Sequence, residues 1–166
     1  MPLKHLTPLL LLCLVWGCET KTDTLFELQD NKSIGLEFEN TLTFSNEFNV
    51  YTYRNFYNGG GVAIGDINND GLADIYLTAN QKSNQLFLNK GDFQFENITA
   101  LAGVSGNRAW STGVTMADVN ADGLLDIYVC NSGDVGGDSK QNELFINQGD
   151  ATFKEAAEQY GLADQG

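Results

Sequence analysis

The chain has 166 residues, 42% of them hydrophobic and 11% aromatic, and its 22 acids against 9 Lys and Arg give a formal charge of −13. That is material for one ordinary domain with a core. The charge excludes polyanionic partners, nucleic acid and anionic lipid headgroups foremost. Eighteen glycines against two prolines, among many short apolar runs, predict an all-β fold with tight turns.

The first 17 residues read as a targeting segment. Lys4 and His5 make a basic start, and residues 6–16 are apolar. That run is too short to span a bilayer, which takes about 20 residues. Val15-Trp16-Gly17-Cys18 resembles the lipobox of bacterial lipoproteins, with a small residue ahead of the cysteine and Trp16 bulkier than usual. The resemblance implies cleavage before Cys18 and lipidation of its sulfur. The mature protein would then be extracytoplasmic, anchored by lipid to a bacterial outer membrane or cell surface. An ordinary secretory signal with an incidental cysteine is the alternative. Cleavage removes Lys4 and no acid, leaving −14 from 22 acids and 8 bases. It also removes Cys13 and His5, the only histidine. Cys130 is then expected to be a lone small apolar residue, with neither a disulfide partner nor a base to activate it.

Residues 18–24 are polar and read as a tether. Residues 25–57 are expected to hold N-terminal strands, a possible partial blade. Leu25-Phe26-Glu27-Leu28 and Ile34 to Asn40 have strand character, with Leu36, Phe38 and Asn40 alternating with acids. Tyr51, Tyr53, Phe56 and Tyr57 form an aromatic group, read as core packing.

From Asn58 onward the chain repeats itself, over residues 58–110 and 111–166. Asp66-Ile67-Asn68-Asn69-Asp70-Gly71-Leu72-Ala73-Asp74 returns 52 positions on as Asp118-Val119-Asn120-Ala121-Asp122-Gly123-Leu124-Leu125-Asp126. Both read D-x-N-x-D-G-x-x-D, with oxygen-bearing side chains at loop positions 1, 3, 5 and 9. Such a run wraps oxygens around a hard cation such as Ca²⁺, which takes roughly 6–8 ligands at about 2.3–2.6 Å. The expected ligands are Asp66, Asn68, Asp70, the carbonyl of Leu72 and Asp74, then Asp118, Asn120, Asp122, the carbonyl of Leu124 and Asp126, for about two ions. A solvated Asx turn explains one such run, but two with matching positions favour cation binding. An EF-hand needs Glu at position 12 and a helix beyond. Leu77 and Val129 stand there instead, within the strand-like runs Asp74-Ile75-Tyr76-Leu77 and Asp126-Ile127-Tyr128-Val129.

After the loops, Leu86-Phe87-Leu88-Asn89 matches Leu144-Phe145-Ile146-Asn147 at an offset of 58, so six residues (58 against 52) are inserted within 131–141. The insert is glycine-rich and polar, hence a loop. Each repeat reads as four short strands: one entering the acidic loop, one leaving it, a third (86–89; 144–147) and a fourth (93–98; 152–156). A helical or turn segment follows (99–103; 157–161). Four-stranded units recurring at about 50 residues are the signature of propeller blades.

The acidic loop after a Gly-x-x-x-Gly strand, followed by Asn-x-Leu-Phe-x-Asn, resembles the FG-GAP/VCBS repeat family, whose loops integrin α propellers share. Bacterial surface proteins of the cartilage acidic protein-like, ASPIC/UnbV-associated kind are similar. The resemblance covers about 58–166 and implies a partial β-propeller of four-stranded blades with calcium-binding inter-strand loops. Two repeats fall short of the four blades a propeller needs, so the chain is expected to be the N-terminal piece of a longer protein that supplies the rest. The expected function is a non-enzymatic binding or adhesion module for an unknown protein or glycan, with the 131–141 loop as a contact region and the membrane touched through lipid alone. The alternatives are a purely structural scaffold and a propeller-based polysaccharide lyase or hydrolase. The enzyme would use Arg54, Tyr57, Arg108 and Trp110 as a sugar-binding face.

Overall fold

The structure, a computed structural model, describes residues 24–107, 110–132 and 140–165. The expected signal, Cys18 and most of the tether lie outside the described residues, as do Arg108 and residues 133–139 of the inserted loop.

Eight strands form two antiparallel four-stranded sheets in the meander orders β1-β2-β3-β4 and β5-β6-β7-β8. The first contains β1 (Val62–Gly65), β2 (Asp74–Leu77), β3 (Gln85–Asn89) and β4 (Phe95–Asn97). The second contains β5 (Ser111–Ala117), β6 (Asp126–Asn131), β7 (Glu143–Asn147) and β8 (Phe153–Glu155). A one-turn helix follows each sheet, α1 (Thr99–Ala102) and α2 (Ala157–Tyr160), and a left-handed glycine, Gly103 or Gly161, ends it. Register repeats as well: Tyr76 pairs with Leu86 as Tyr128 pairs with Leu144. The chain is therefore all-β, with two blade-like sheets.

The period-two pattern of each strand sends side chains to both faces, and one core forms between the sheets. Tyr76, Leu86, Ile98 and Val104 of the first repeat pack with Ile127, Val129, Phe145 and Phe153 of the second. The inner strands come close here. A Cβ on Gly65 of β1 would lie 2.7 Å from Leu125 Cδ1 and 2.9 Å from Met116 Sδ. Asn147 crosses between repeats, its Nδ2 donating to the carbonyl of Ile67 at 2.7 Å. The opposite face of the second sheet carries Leu144 and Ile146, covered by Ala156, Ala157, Leu162 and Ala163. Equivalent positions thus differ in burial: Ile67 is 1% exposed and Val119, 52 residues later, 39%.

A tyrosine on the second strand of each sheet anchors the segment that follows the helix. Tyr76 Oη donates to the carbonyl of Val104 at 2.6 Å, and Tyr128 Oη to that of Leu162 at 3.1 Å. Tyr76 is fully buried, and burial pushes its phenol well above the usual range. Tyr76→Phe leaves the Val104 carbonyl without its partner in a site closed to water. It is expected to cost about 1–3 kcal/mol in urea unfolding. Half-buried Tyr128 is expected to lose less than about 1 kcal/mol on the same change, because water can replace the hydroxyl. Equal losses would contradict this account.

Residues 24–57 correct an expectation: no strand forms among them. The alternation itself is present, since Ile34, Leu36, Phe38 and Asn40 are half-buried and the acids between them exposed. What is missing is a ladder. One backbone bond, Phe95 N–H to the carbonyl of Ile34 at 2.8 Å, joins the segment to β4. Side chains supply further bonds: Asn40 and Asn80 bond reciprocally, Gln81 bonds the backbone of Thr43, and Lys82 donates to the Thr41 hydroxyl. Leu25 and Leu28 are 91% and 99% exposed, so the first expected strand has nothing to pack on.

The aromatic group is also reassigned. Phe56 is buried, but Tyr51 and Tyr57 are exposed. The cluster is completed by Phe48 and Trp110, whose rings lie 5.1 Å apart and nearly perpendicular. Trp110 is buried among Phe48, Tyr53 and Phe56, which removes it from any sugar-binding face.

Candidate metal centre

The two acidic loops connect β1 to β2 and β5 to β6, and their internal bonding agrees bond for bond. Asp66 accepts from the N–H groups of Asp70 (3.1 Å) and Gly71 (2.7 Å), as Asp118 does from Asp122 (3.2 Å) and Gly123 (2.9 Å). Asn68 and Asn120 Oδ1 accept from Asp70 and Asp122 N–H. Asp70 Oδ1 accepts from Leu72 N–H at 2.8 Å, and Asp122 from Leu124 at 2.9 Å. The turn needs left-handed backbone at two places in each loop, Asn69 and Gly71 (φ 58° and 86°), then Ala121 and Gly123 (φ 60° and 88°). Glycine adopts that conformation without penalty and asparagine at a small one.

Loop position 9 differs from the others. Asp74 and Asp126 are buried, while Asn68, Asp70, Asp118, Asn120 and Asp122 are exposed and Asp66 half-exposed. Each buried carboxylate accepts two backbone N–H bonds. Asp74 takes Ile67 at 2.9 Å and Asn89 at 2.8 Å; Asp126 takes Val119 at 3.0 Å and Asn147 at 2.8 Å. The residue expected as the last ligand therefore fastens the loop to the third strand. Burial pushes the Asp74 carboxyl above the usual range, the two N–H bonds oppose this, and the nearby charges of Asp70 and Asp66 push it further up.

Fit to a cation rests on the donor chemistry. Each loop carries three carboxylates, an amide oxygen and a free-standing carbonyl, all hard oxygens suited to Ca²⁺. Those carboxylates repel one another, and among the described residues no lysine or arginine pairs with them. The ion pair present, Lys90 to Glu96 at 3.7 Å, lies elsewhere. Among the described residues, however, no group of three or more Asp, Glu, His or Cys side chains is arranged to hold an ion. The loop carboxylates bond to their own backbone. The donor set thus fits a divalent cation in kind, and the side chains are satisfied by N–H groups.

Asn89 and Asn147 were not among the expected site residues, yet they complete the loops. Their Nδ2 groups donate to the carbonyls of Ala73 and Leu125, and their backbone N–H groups bind the buried carboxylates. Their signal was the asparagine closing both Leu-Phe-x-Asn runs. The loops also touch, Asn69 Nδ2 donating to the carbonyl of Gly123 at 3.2 Å. Cys130 is a free, half-buried thiol.

Stacked four-stranded meanders with an acidic loop between the first two strands define a propeller-type repeat. The comparisons agree: residues 66–129 match the family model of the FG-GAP-like repeat. It is similar to cartilage acidic protein 1 of Xenopus tropicalis, 41% identical over 78 residues, and of Homo sapiens, 40% over 76 residues. These matches take in 46% and 45% of this chain, and they span 12% of the length of each relative.

Proposed function

We propose that this protein is a calcium-binding, lipid-anchored, extracytoplasmic module that works by binding or adhesion and carries out no catalysis. The observation behind this reading is the twofold recurrence of one oxygen-rich loop, with the same internal bonds, whose carboxylates meet no cationic side chain among the described residues. Asp66, Asn68, Asp70, the Leu72 carbonyl and Asp74 would hold one ion, and Asp118, Asn120, Asp122, the Leu124 carbonyl and Asp126 the other. A bound cation would neutralise the carboxylates that crowd each turn. The protein's own part is to present the oxygens: Gly71 and Gly123 allow the turn, and Asp74 and Asp126 fix it to the sheet. The FG-GAP-like repeat supports a binding role. The lipobox-like Val15-Trp16-Gly17-Cys18 supports the anchor, which the mass of the N-terminal peptide would reveal.

Calorimetric titration of the chain with Ca²⁺ is expected to count about two ions. At a hundredfold excess over Kd, each site adds about 2.7 kcal/mol of stability. The double variant Asp66→Asn/Asp118→Asn is expected to lose both signals while remaining folded, because the single amide oxygen keeps one of the two loop N–H bonds and water can take the other at these solvent-accessible turns. Absence of heat and of any thermal shift at millimolar Ca²⁺ would refute the calcium reading.

A further inference from the structure

A cavity of about 360 Å³ opens where the chain enters the first sheet and β5 begins. Its floor is the backbone of residues 59–61 and Gly113, and its walls are Tyr53, Asn55, Asn58, Thr112 and Ser132. We propose that this cavity binds one unit of a neutral sugar. The proposal deepens the binding role above by placing a ligand site away from both acidic loops.

Three observations carry it. Among the described residues the lining contains no charged side chain, on a chain whose net charge of −13 disfavours anionic ligands. Asn55 and Asn58 are exposed, and their side-chain amides make no hydrogen bond among the described residues. Each offers both a donor and an acceptor, the pairing a sugar hydroxyl requires. The backbone is irregular just here: the β5–β6 register slips between Ser111 and Val114, leaving Thr112 and Gly113 outside the ladder. Bulges of this kind re-aim residues beside binding sites. Gly60 lets the chain pass close beneath this site, since a Cβ there would lie 2.2 Å from the carbonyl of buried Thr78. Tyr53 and Ser132 close one wall, their hydroxyls 3.2 Å apart. The volume falls at the small end of the roughly 300–1,000 Å³ of ligand pockets, suiting a single ring.

Saturation-transfer NMR of the full chain in Ca²⁺, with glucose, galactose, mannose and N-acetylglucosamine as separate probes, tests this. Transfer to at least one is expected, with glucuronate giving none. The double variant Asn55→Ala/Asn58→Ala is expected to weaken that sugar about tenfold or more, from two lost hydrogen bonds, with thermal stability and Ca²⁺ titration unchanged. No transfer from any neutral probe to the folded chain would overturn the proposal. So would undiminished binding in the variant, or glucuronate binding as well as the neutral sugars. Calcium binding without sugar binding removes this site alone; sugar binding without calcium binding removes the calcium reading and leaves this site in place.

Discussion

Replacing Asp126 with alanine is expected to destabilise the protein by about 3–5 kcal/mol, measured by urea unfolding in the presence of EDTA. Its carboxylate accepts from the N–H groups of Val119 and Asn147 at 3.0 and 2.8 Å. Hydrogen bonds to a charged acceptor contribute about 1.5–3 kcal/mol each, and a buried donor left alone carries its own penalty. Asn147 is buried and also spans to the first repeat, so both sheets should feel the loss. Domains of this size are stable by roughly 5–15 kcal/mol, so the variant would retain little. The chelator matters, because it separates the structural work of position 9 from ion binding. Asp118→Asn, at an exposed position, is expected to change stability by less than about 1 kcal/mol under the same conditions. Similar losses from the two variants in EDTA would mean that the buried carboxylate has no special structural part.

The second large effect is expected from Trp110→Ala, again about 3–5 kcal/mol, the range for truncating a buried large aromatic. Trp110 is 1% exposed, and its ring lies 5.1, 5.3 and 5.5 Å from those of Phe48, Tyr53 and Phe56. Those partners belong to a stretch with no strand of its own, so the indole is its main attachment to the second sheet. Limited proteolysis should cut between residues 45 and 57 in the variant well before it cuts the parent. Protection of that stretch in a folded Trp110→Ala protein would show that it is held by other means.

The repeats were legible because their signals are local. A loop's oxygens, its glycine and the alternation of the flanking strands all lie within a dozen residues. Both loops, the four-strand pattern of each repeat and its short helix could be read before any coordinates. The N-terminal strands were misjudged for a related reason. Alternation at Leu36 and Phe38 correctly marked a half-buried face, but a strand also needs a neighbour with free backbone groups, and sequence alternation does not supply one. The position of Trp110 shows the same limit. Its partners lie more than 50 residues earlier, so the sequence offered it as part of a sugar-binding face, and it proved to be the anchor of the preceding segment. Asp74 and Asp126 were visible as oxygens. That their oxygens face Asn89 and Asn147 depends on how the third strand pairs, which no local spacing encodes.

The burial of Ile67 bears on what one position of a duplicated motif can be asked to do. The sheet that follows in the chain is what seals it, through Ile127, Val129 and Phe145. The second position of the motif is therefore a core position by virtue of stacking and not of the loop itself, so a polar residue there would be felt as a fault between sheets and not within one.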